Sequence, residues 1–272
     1  MRVESIHIYP VKATAPIDLA SANVELAGLR DDRRWAVVDP QGVRLNATKH
    51  DRLLTATATP DESGALTLTA PGQTPLAVAV PVGGREVPVN VSRLPTVVDA
   101  GDEAGDWFSR LLGEPVRLVW QDDPARRPIS QQHGGLGAEP LSLADTGPLL
   151  LTTTSSLAQL EAWIADEHEP QTMAMRRFRP NVVVDGSDVP FAEDEWRGFH
   201  IGDVPYRFAE HCDRCVVTTI DPLTLAHGKE PIRTLARHRK WEGKTWFGIR
   251  IIPLAAGKVS VGDEVTFGNL KT

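Results

Sequence analysis

Two cysteines three residues apart form the most reactive pattern in this 272-residue sequence, and they are its only cysteines. They are Cys212 and Cys215, in the order His-Cys-Asp-Arg-Cys. Thiolates are good ligands for several transition metals. The positive charge of Arg214 favours a thiolate at the neighbouring Cys215. One protein thiolate could therefore hold a metal whose remaining ligands come from an organic cofactor.

Other interpretations of the cysteine pair fit the sequence less well. A structural zinc site needs four ligands, and no paired spacing elsewhere offers two more. A thioredoxin-like redox pair opens a helix, whereas the β-branched residues 216–220 predict a strand at this point. The order His-Cys-x-x-Cys is the reverse of a covalent haem site. Cys212 could also be a small buried hydrophobic residue, and that interpretation stays open.

Composition and charge place the chain among soluble globular proteins. Hydrophobic residues make up 41% and charged residues 24% of the sequence, which is close to the globular average. The formal net charge of -7 provides no global basic field for nucleic acid or an anionic membrane. No stretch approaches the roughly 20 apolar residues that cross a bilayer, and the first residues lack the apolar core of a signal peptide. We expect a soluble cytoplasmic protein without a nucleic-acid or membrane partner.

Short strands dominate the first hundred residues, which predicts a barrel or sandwich. Strands are predicted over residues 2–9, 34–39, 43–46, 53–58, 66–69, 76–80 and 85–91. The turn Pro40-Gln41-Gly42 predicts a hairpin that ends in strand 43–46. Pro88 predicts an edge position for the last of these strands. Helical spacing over residues 102–112, followed by Gly113, predicts the first helix.

The second half of the chain alternates a few helices with strands. Residues 121–145 are rich in proline, glycine and polar residues, which predicts a long loop or connection. A buried strand over 149–151 leads into a helix, for which Ser156 and Gln159 predict a capping box. Further strands are predicted over residues 181–184, 206–209, 216–220, 247–252 and 265–267, with a helix over 231–239. We divide the chain into domains 1–120 and 121–272.

Seven short motifs, spread over essentially the whole chain, follow the order found in one known family. They are Tyr9-Pro10-Val11-Lys12, Gly28-Leu29-Arg30 with Asp32-Arg33-Arg34-Trp35, residues 150–157, Phe178-Arg179-Pro180-Asn181, residues 212–222, Trp246-Phe247-Gly248 and Val261-Gly262-Asp263. With these motifs the chain resembles the MOSC family, and within it two-part bacterial proteins related to the mitochondrial amidoxime-reducing component. The resemblance implies a mainly β (α+β) fold, in which an N-terminal MOSC β-barrel-like domain packs on a C-terminal MOSC β-barrel with a few helices.

The resemblance also implies a bound molybdenum cofactor, Mo-molybdopterin. It assigns Cys215 as the metal ligand and catalytic residue. The residues it assigns to cofactor binding are Lys12, Arg33, Thr154, Ser155, Ser156, Arg179, Asn181 and Arg214. These residue types suit the task, since a pterin phosphate binds cationic side chains, hydroxyls and helix N-terminal amides. Ala13 stands where the family often has serine, so one hydroxyl contact is absent.

The implied activity is the reduction of N-hydroxylated compounds such as amidoximes, hydroxylamines or N-hydroxylated bases. A plant-type iron–sulfur domain would need four cysteines, so we expect electrons from a separate donor protein, a flavin or iron–sulfur reductase. An alternative is a molybdenum-cofactor or sulfur carrier that uses a Cys215 persulfide without turnover of a small-molecule substrate. A third is a binding module whose ancestral site has decayed.

Overall fold

The computed structural model describes residues 1–91, 93–167 and 170–268. Within them the fold is mainly β, with three α-helices. The strands are Arg2–Ile8 (β1), Ile17–Leu19 (β2), Ser21–Glu25 (β3), Gly28–Leu29 (β4), Trp35–Val38 (β5), Thr57–Pro60 (β6), Leu66–Thr69 (β7), Leu76–Val78 (β8), Glu86–Val91 (β9), Leu94–Asp99 (β10), Arg117–Trp120 (β11), Leu149–Thr153 (β12), Val182–Asp185 (β13), Gly198–Ile201 (β14), Val204–Asp213 (β15), Lys240–Trp241 (β16), Lys244–Pro253 (β17), Gly257–Ser260 (β18) and Val265–Thr266 (β19). The α-helices are Asp102–Leu112 (α1), Thr154–Glu167 (α2) and Ile232–His238 (α3).

The largest sheet joins the N-terminal strand to the second half of the chain. Its order is β19-β14-β15-β17-β12-β13-β1-β2, with β16 paired to β17. Strand β1 runs antiparallel to β13, with Ile6 opposite Val182, and β13 runs parallel to β12. Helix α2 connects those two parallel strands, as a parallel pair requires a crossover. The division at residue 120 stays a prediction, and β1 and β2 pack with strands that lie beyond it.

The two largest of the hydrophobic clusters in the described residues contribute most to the core. The larger one is built on the nine-stranded sheet and includes the fully buried Ile6, Phe199 and Ile249. The apolar run of β13 is buried on both faces over its first three residues, as is typical of a central strand. In the smaller core, α1 packs Trp107 and Phe108 against the sheet of β6, β7 and β8.

The N-terminal strands partly follow the sequence prediction. Strand β9 lies at the edge of the sheet β5-β11-β10-β9, which confirms the edge position predicted from Pro88. The strand predicted over 43–46 is wrong, since Val43 and Arg44 make only isolated bridges to Asn90 and Val38. Residues 51–55 form a 3₁₀ turn, so the strand predicted from residue 53 begins only at Thr57.

Helix α2 begins three residues earlier than the capping box predicts, at Thr154. The backbone N–H of Ser156 donates to Thr153 Oγ1 at 3.2 Å, so Thr153 caps the helix. The Ser156 hydroxyl donates to the buried Glu193 carboxylate at 2.8 Å and accepts from the Phe191 N–H at 2.7 Å. The prediction is wrong because a tertiary contact, which local sequence does not encode, uses this hydroxyl.

The strand predicted over 216–220 is also wrong. Residues Val216–Thr219 form a 3₁₀ turn directly after Cys215. The hydroxyl of Thr218 donates to the Cys215 carbonyl at 3.0 Å, and that of Thr219 donates to the Val216 carbonyl at 2.7 Å. Such local side-chain bonds compete with strand pairing, and they turn the chain away from the sheet.

Residues 121–145 are irregular apart from two short 3₁₀ turns, Pro124–Arg126 and Gln131–His133, as the loop prediction expects. Among the three ranges that the structure describes, no helix combines the length and apolar character needed to cross a membrane.

Candidate functional site

A cavity of about 330 Å³ opens where loops from both halves of the chain meet the end of β15. Its lining includes seven basic side chains and two acidic ones. The basic residues are Lys12, Arg33, Arg44, Arg177, Arg179, Arg214 and Arg250, and the acidic residues are Asp145 and Asp213. A concave surface with this excess of positive charge attracts anions. The lining of the cavity is therefore net positive, whereas the chain as a whole is net negative.

The two cysteines line this cavity in different environments. Cys212 is 1% exposed, whereas Cys215 is exposed. Arg214 Nη1 donates to Cys212 Sγ at 2.8 Å, and Nη2 donates to the Phe178 carbonyl at 2.7 Å. The charge of Arg214 thus faces Cys212, not Cys215 as adjacency predicted. Neighbouring side chains in an extended segment point to opposite sides, whereas residues two apart share a side.

Irregular pairing in β15 brings the cysteine segment to the cavity. The register between β15 and β17 shifts once between Phe208 and Glu210 and again between His211 and Asp213. Bulges of this kind bend a strand and re-aim its side chains. The Arg214 N–H still donates to the Thr245 carbonyl at 2.7 Å, so the segment stays attached to β17 up to that residue.

Three non-glycine residues of the cavity wall have positive φ angles. The angles are 72° for Ala13, 51° for Arg33 and 57° for Arg179. This backbone conformation costs roughly 1–2 kcal/mol for a residue with a Cβ, and such strain clusters at functional sites. At Arg33 the conformation is held by side-chain bonds to the Asp32 carboxylate at 2.5 Å and to Asn181 Oδ1 at 3.0 Å.

Asn181 connects several elements behind the cavity. Its Oδ1 accepts from the Leu150 N–H at 3.1 Å as well as from Arg33, and its Nδ2 donates to the His7 carbonyl at 3.1 Å. The side chain therefore fixes Arg33 against β1 and β12. Its contact with a cofactor stays a prediction.

Lys12 and Asp145 form a close ion pair at the cavity. Lys12 Nζ lies 2.5 Å from Asp145 Oδ1 and donates to the Leu143 carbonyl at 2.6 Å. Burial lowers the pKa of Lys12 to about 7, although Asp145 opposes the shift. The Lys12 charge in turn holds the pKa of Asp145 well below its usual range. Sequence reasoning missed Asp145, whose one signal is its place just before the buried strand β12.

Several buried guanidinium nitrogens in the cavity wall have no hydrogen-bond partner among the described residues. They are Arg177 Nε, Arg179 Nη2 and Arg214 Nε, whereas Arg250 Nε lies 3.3 Å from Glu210 Oε1. A buried donor without a partner costs about 1–3 kcal/mol, so a bound anion with several acceptor oxygens would stabilise this wall. Burial lowers the pKa of Arg179 to about 10, which leaves the side chain charged at neutral pH. These donors fit the phosphate and polar ring edges of a pterin cofactor.

The structure brings most of the predicted site residues to this cavity. Those that line it are Lys12, Arg33, Arg179, Asn181, Arg214 and Cys215. Thr154, Ser155 and Ser156 are not among its described lining residues. Thr154 Oγ1 donates to Asp185, and Ser155 Oγ lies 3.2 Å from Thr153 Oγ1. Arg44 and Arg250 line the cavity and were missed, because neither belongs to a motif.

Family models match most of the chain. The model of the MOSC N-terminal beta barrel domain matches residues 1–115, and that of the MOSC domain matches residues 138–266. These matches agree with the mainly β fold with a barrel-like N-terminal part that the resemblance implied.

Curated relatives match nearly the full sequence. The mitochondrial amidoxime-reducing component 1 of Homo sapiens is 31% identical, over 97% of this chain and 82% of the relative. The mitochondrial amidoxime reducing component 2 of Rattus norvegicus is 30% identical, over 97% and 82%. The molybdenum cofactor sulfurase of Danio rerio is 28% identical, over 96% of this chain, which spans 34% of that longer relative. The chain thus belongs to the MOSC family.

Proposed function

We propose that this protein is a molybdenum-cofactor-binding oxidoreductase that reduces N-hydroxylated compounds. The observation that carries the proposal is an exposed thiol, Cys215, on a cavity whose wall holds buried guanidinium nitrogens with no hydrogen-bond partner among the described residues. A thiolate is a soft metal ligand, and guanidinium groups bind phosphate through charge-assisted hydrogen bonds. Similarity over nearly the whole chain to proteins named for amidoxime reduction supports this substrate class.

The residues of the cavity divide into two roles. Cys215 would hold the metal, and its exposure leaves room for a substrate beside it. Lys12, Arg33 and Arg179 would bind the anionic part of the cofactor, with Arg214 and Asn181 fixing the wall around them. When bound, the cofactor supplies two-electron redox chemistry at the metal.

The overall reaction sets what else the protein needs. Reduction of an N-hydroxyl compound breaks the N–O bond, forms an N–H bond and releases water, and it consumes two electrons and two protons. A plant-type iron–sulfur cluster needs four cysteines, whereas this sequence has two, and both line the cavity. We therefore propose that a separate flavin or iron–sulfur protein supplies the electrons. The cavity then needs an open side for the substrate and a face that the donor can approach.

Elemental analysis tests the metal ligand directly. Protein from a host that makes molybdenum cofactor should contain close to one molybdenum per chain. We expect Cys215→Ser to lose nearly all of it and Cys212→Ser, the matched change three residues away, to keep it. Equal loss in both variants would contradict the ligand assignment. Reduction of benzamidoxime by the loaded protein with a chemical reductant then tests the activity.

A carrier is the second candidate, and the similarity to molybdenum cofactor sulfurase over 96% of this chain favours considering it. An exposed Cys215 could also carry a persulfide, since reactive cysteines are accessible ones. Mass spectrometry of the intact protein would detect the added sulfur, and its absence from Cys215→Ser would assign it to Cys215. A persulfide together with no turnover of any N-hydroxylated compound would replace the reductase proposal with the carrier.

A further inference from the structure

Tyr9 lies directly behind the cationic wall of the cavity and has no role in the site as described so far. Its side chain is fully buried, and it contacts two residues that line the cavity. The Arg33 guanidinium carbon lies 4.5 Å from the centre of the Tyr9 ring, and that of Arg179 lies 4.1 Å from it. One aromatic ring thus supports both cations.

Polar contacts fix this ring to the two segments that carry the arginines. The Tyr9 N–H donates to Asp32 Oδ1 at 2.8 Å, and its carbonyl accepts from the Arg33 N–H at 3.0 Å. Its hydroxyl donates to the carbonyl of Pro180, next to Arg179, at 3.1 Å. Burial raises the pKa of Tyr9 to about 12, so the phenol stays neutral at physiological pH.

The two arginines need such support because they are partly buried like charges that share one ring. Arg33 Nη2 donates to the Arg179 carbonyl at 3.1 Å, and its Nη1 is paired with the Asp32 carboxylate. Arg179 Nη1 donates to the Thr14 carbonyl at 2.8 Å, while its Nη2 faces no described partner. The negative face of an aromatic ring attracts cations, most strongly where water is excluded. The ring thereby compensates for part of the charge without occupying the donors.

We infer that Tyr9 is a positioning residue, whose ring holds the Arg33 and Arg179 guanidinium groups toward the cavity and so sets its affinity for an anion. A carboxylate in the same place would neutralise the arginines further and pair with Arg179 Nη2, whereas the ring leaves that nitrogen without a protein partner among the described residues. The identity of that ligand as a pterin phosphate rests on the proposed function. The positioning role itself concerns any phosphate-like anion.

Inorganic pyrophosphate is a suitable probe, because it carries the charge and acceptor oxygens of the expected ligand without the metal. Binding to the purified chain is measured by isothermal titration calorimetry for the wild type, Tyr9→Phe and a variant with 3,4,5-trifluorophenylalanine in place of Tyr9. We expect Tyr9→Phe to bind within about threefold of the wild type, since the ring remains, and the fluorinated ring, which has lost its negative face, to bind about tenfold more weakly.

The same fluorinated residue at Tyr206 is the matched control. Tyr206 is the other tyrosine of the chain and is buried in the core of the large sheet. Fluorination there should leave pyrophosphate affinity unchanged. Because the fluorinated side chains keep the shape of the ring, these variants separate the electrostatic role of Tyr9 from its packing. Equal affinity of the Phe and trifluorophenylalanine variants at position 9 would overturn the inference.

Nitrogen-15 NMR of the arginine side chains provides a readout that packing alone does not move. The Nε–H protons of Arg33 and Arg179 should be shifted upfield by the ring in the wild type and in Tyr9→Phe, and the shift should disappear in Tyr9→Leu. Unshifted protons in the wild type would overturn the inference, as would a wild type that does not bind pyrophosphate. If the fluorinated variant binds pyrophosphate more weakly than the wild type and Tyr9→Phe, but the protein never takes up molybdenum, the positioning role is supported and only the proposed function is overturned.

Discussion

Lys12 is a buried amine whose protonation state changes near neutral pH. Burial lowers its pKa to about 7 from the ordinary 10.5, since the charged form loses its hydration. Between these two values the unfolded chain binds more protons than the folded one. The free energy of unfolding should therefore rise with pH across that range as the desolvation cost of the charged amine disappears. Asp145 does not affect this range, because its lowered pKa changes the free energy of unfolding only at acid pH.

Replacing Lys12 by methionine removes this titration. We expect the wild type to gain stability relative to Lys12→Met as the pH rises from 7 to 9.5. Urea denaturation at several pH values measures the difference. Lys49→Met, a change at an exposed lysine, should give a curve parallel to the wild type. Parallel curves for Lys12→Met would contradict the lowered pKa.

Residue types in the sequence predicted some of the residues that line the cavity, and only the tertiary structure identified the others. Cys215, Lys12 and Arg179 belong to motifs whose chemistry suits a metal and an anion, and all three line the cavity. Asp145 and Arg250 join them only because the segment before β12 and the strand β17 meet at the same place. Neither residue belongs to a motif, and the only local signal of Asp145 is its place just before the buried strand β12.

Gly248 shows how closely two central strands approach each other. It lies in β17 with a φ angle of 75°. A Cβ at this position would lie 2.7 Å from the Leu151 carbonyl oxygen and 2.7 Å from Thr152 Cγ2. Both contacts are with β12, so the strands cannot move apart locally without loss of pairing.

We therefore predict that Gly248→Ala is much more destabilising than Gly243→Ala. Gly243 has nearly the same φ angle, 73°, but a Cβ there would meet nothing within 4 Å. The control should cost about 1–2 kcal/mol from backbone strain alone, and Gly248→Ala about 2 kcal/mol or more beyond that. Chemical denaturation of both variants measures the difference. Equal losses would show that β12 can accommodate the methyl group.

Elements with a strong local signal were predicted well, and elements set by tertiary contacts were not. Helix α1 matches the predicted span, and Gly113 ends it with a left-handed φ angle of 80°. The start of α2 and the turn after Cys215 differ from prediction because buried Glu193 and the threonine hydroxyls redirect the local bonds. Hydroxyl groups compete with backbone pairing in ways that periodicity does not reveal.

The whole molecule depends on pairing between its two ends. Strand β1 pairs with β13, and β3 pairs with β18, so strands from the first 30 residues complete sheets of the second half. The cavity likewise takes Lys12 and Arg33 from one part and Cys215 and Arg250 from the other. The cavity therefore exists only in the assembled chain.

A fragment comprising residues 121–272 should fail to fold cooperatively on its own. Without β1 the edge of β13 is unpaired, and open apolar edges favour aggregation. Urea unfolding followed by circular dichroism should show no single sharp transition for the fragment, in contrast to the full chain. Co-expression with residues 1–120 should restore a soluble complex. Cooperative unfolding of the isolated fragment would contradict this prediction.

The sequence by itself determined the predominance of β structure, the edge strand at Pro88, helix α1 and the residue types that give the site its chemistry. These follow from local periodicity, from the backbone limits of proline and glycine and from side-chain charge. The tertiary structure alone decided that Arg214 faces Cys212, that Asp145 pairs with Lys12 and that one tyrosine ring supports two arginines. The second and third of these contacts join residues far apart in the chain, and the first depends on the 216–220 segment turning away from the strand that the sequence predicted.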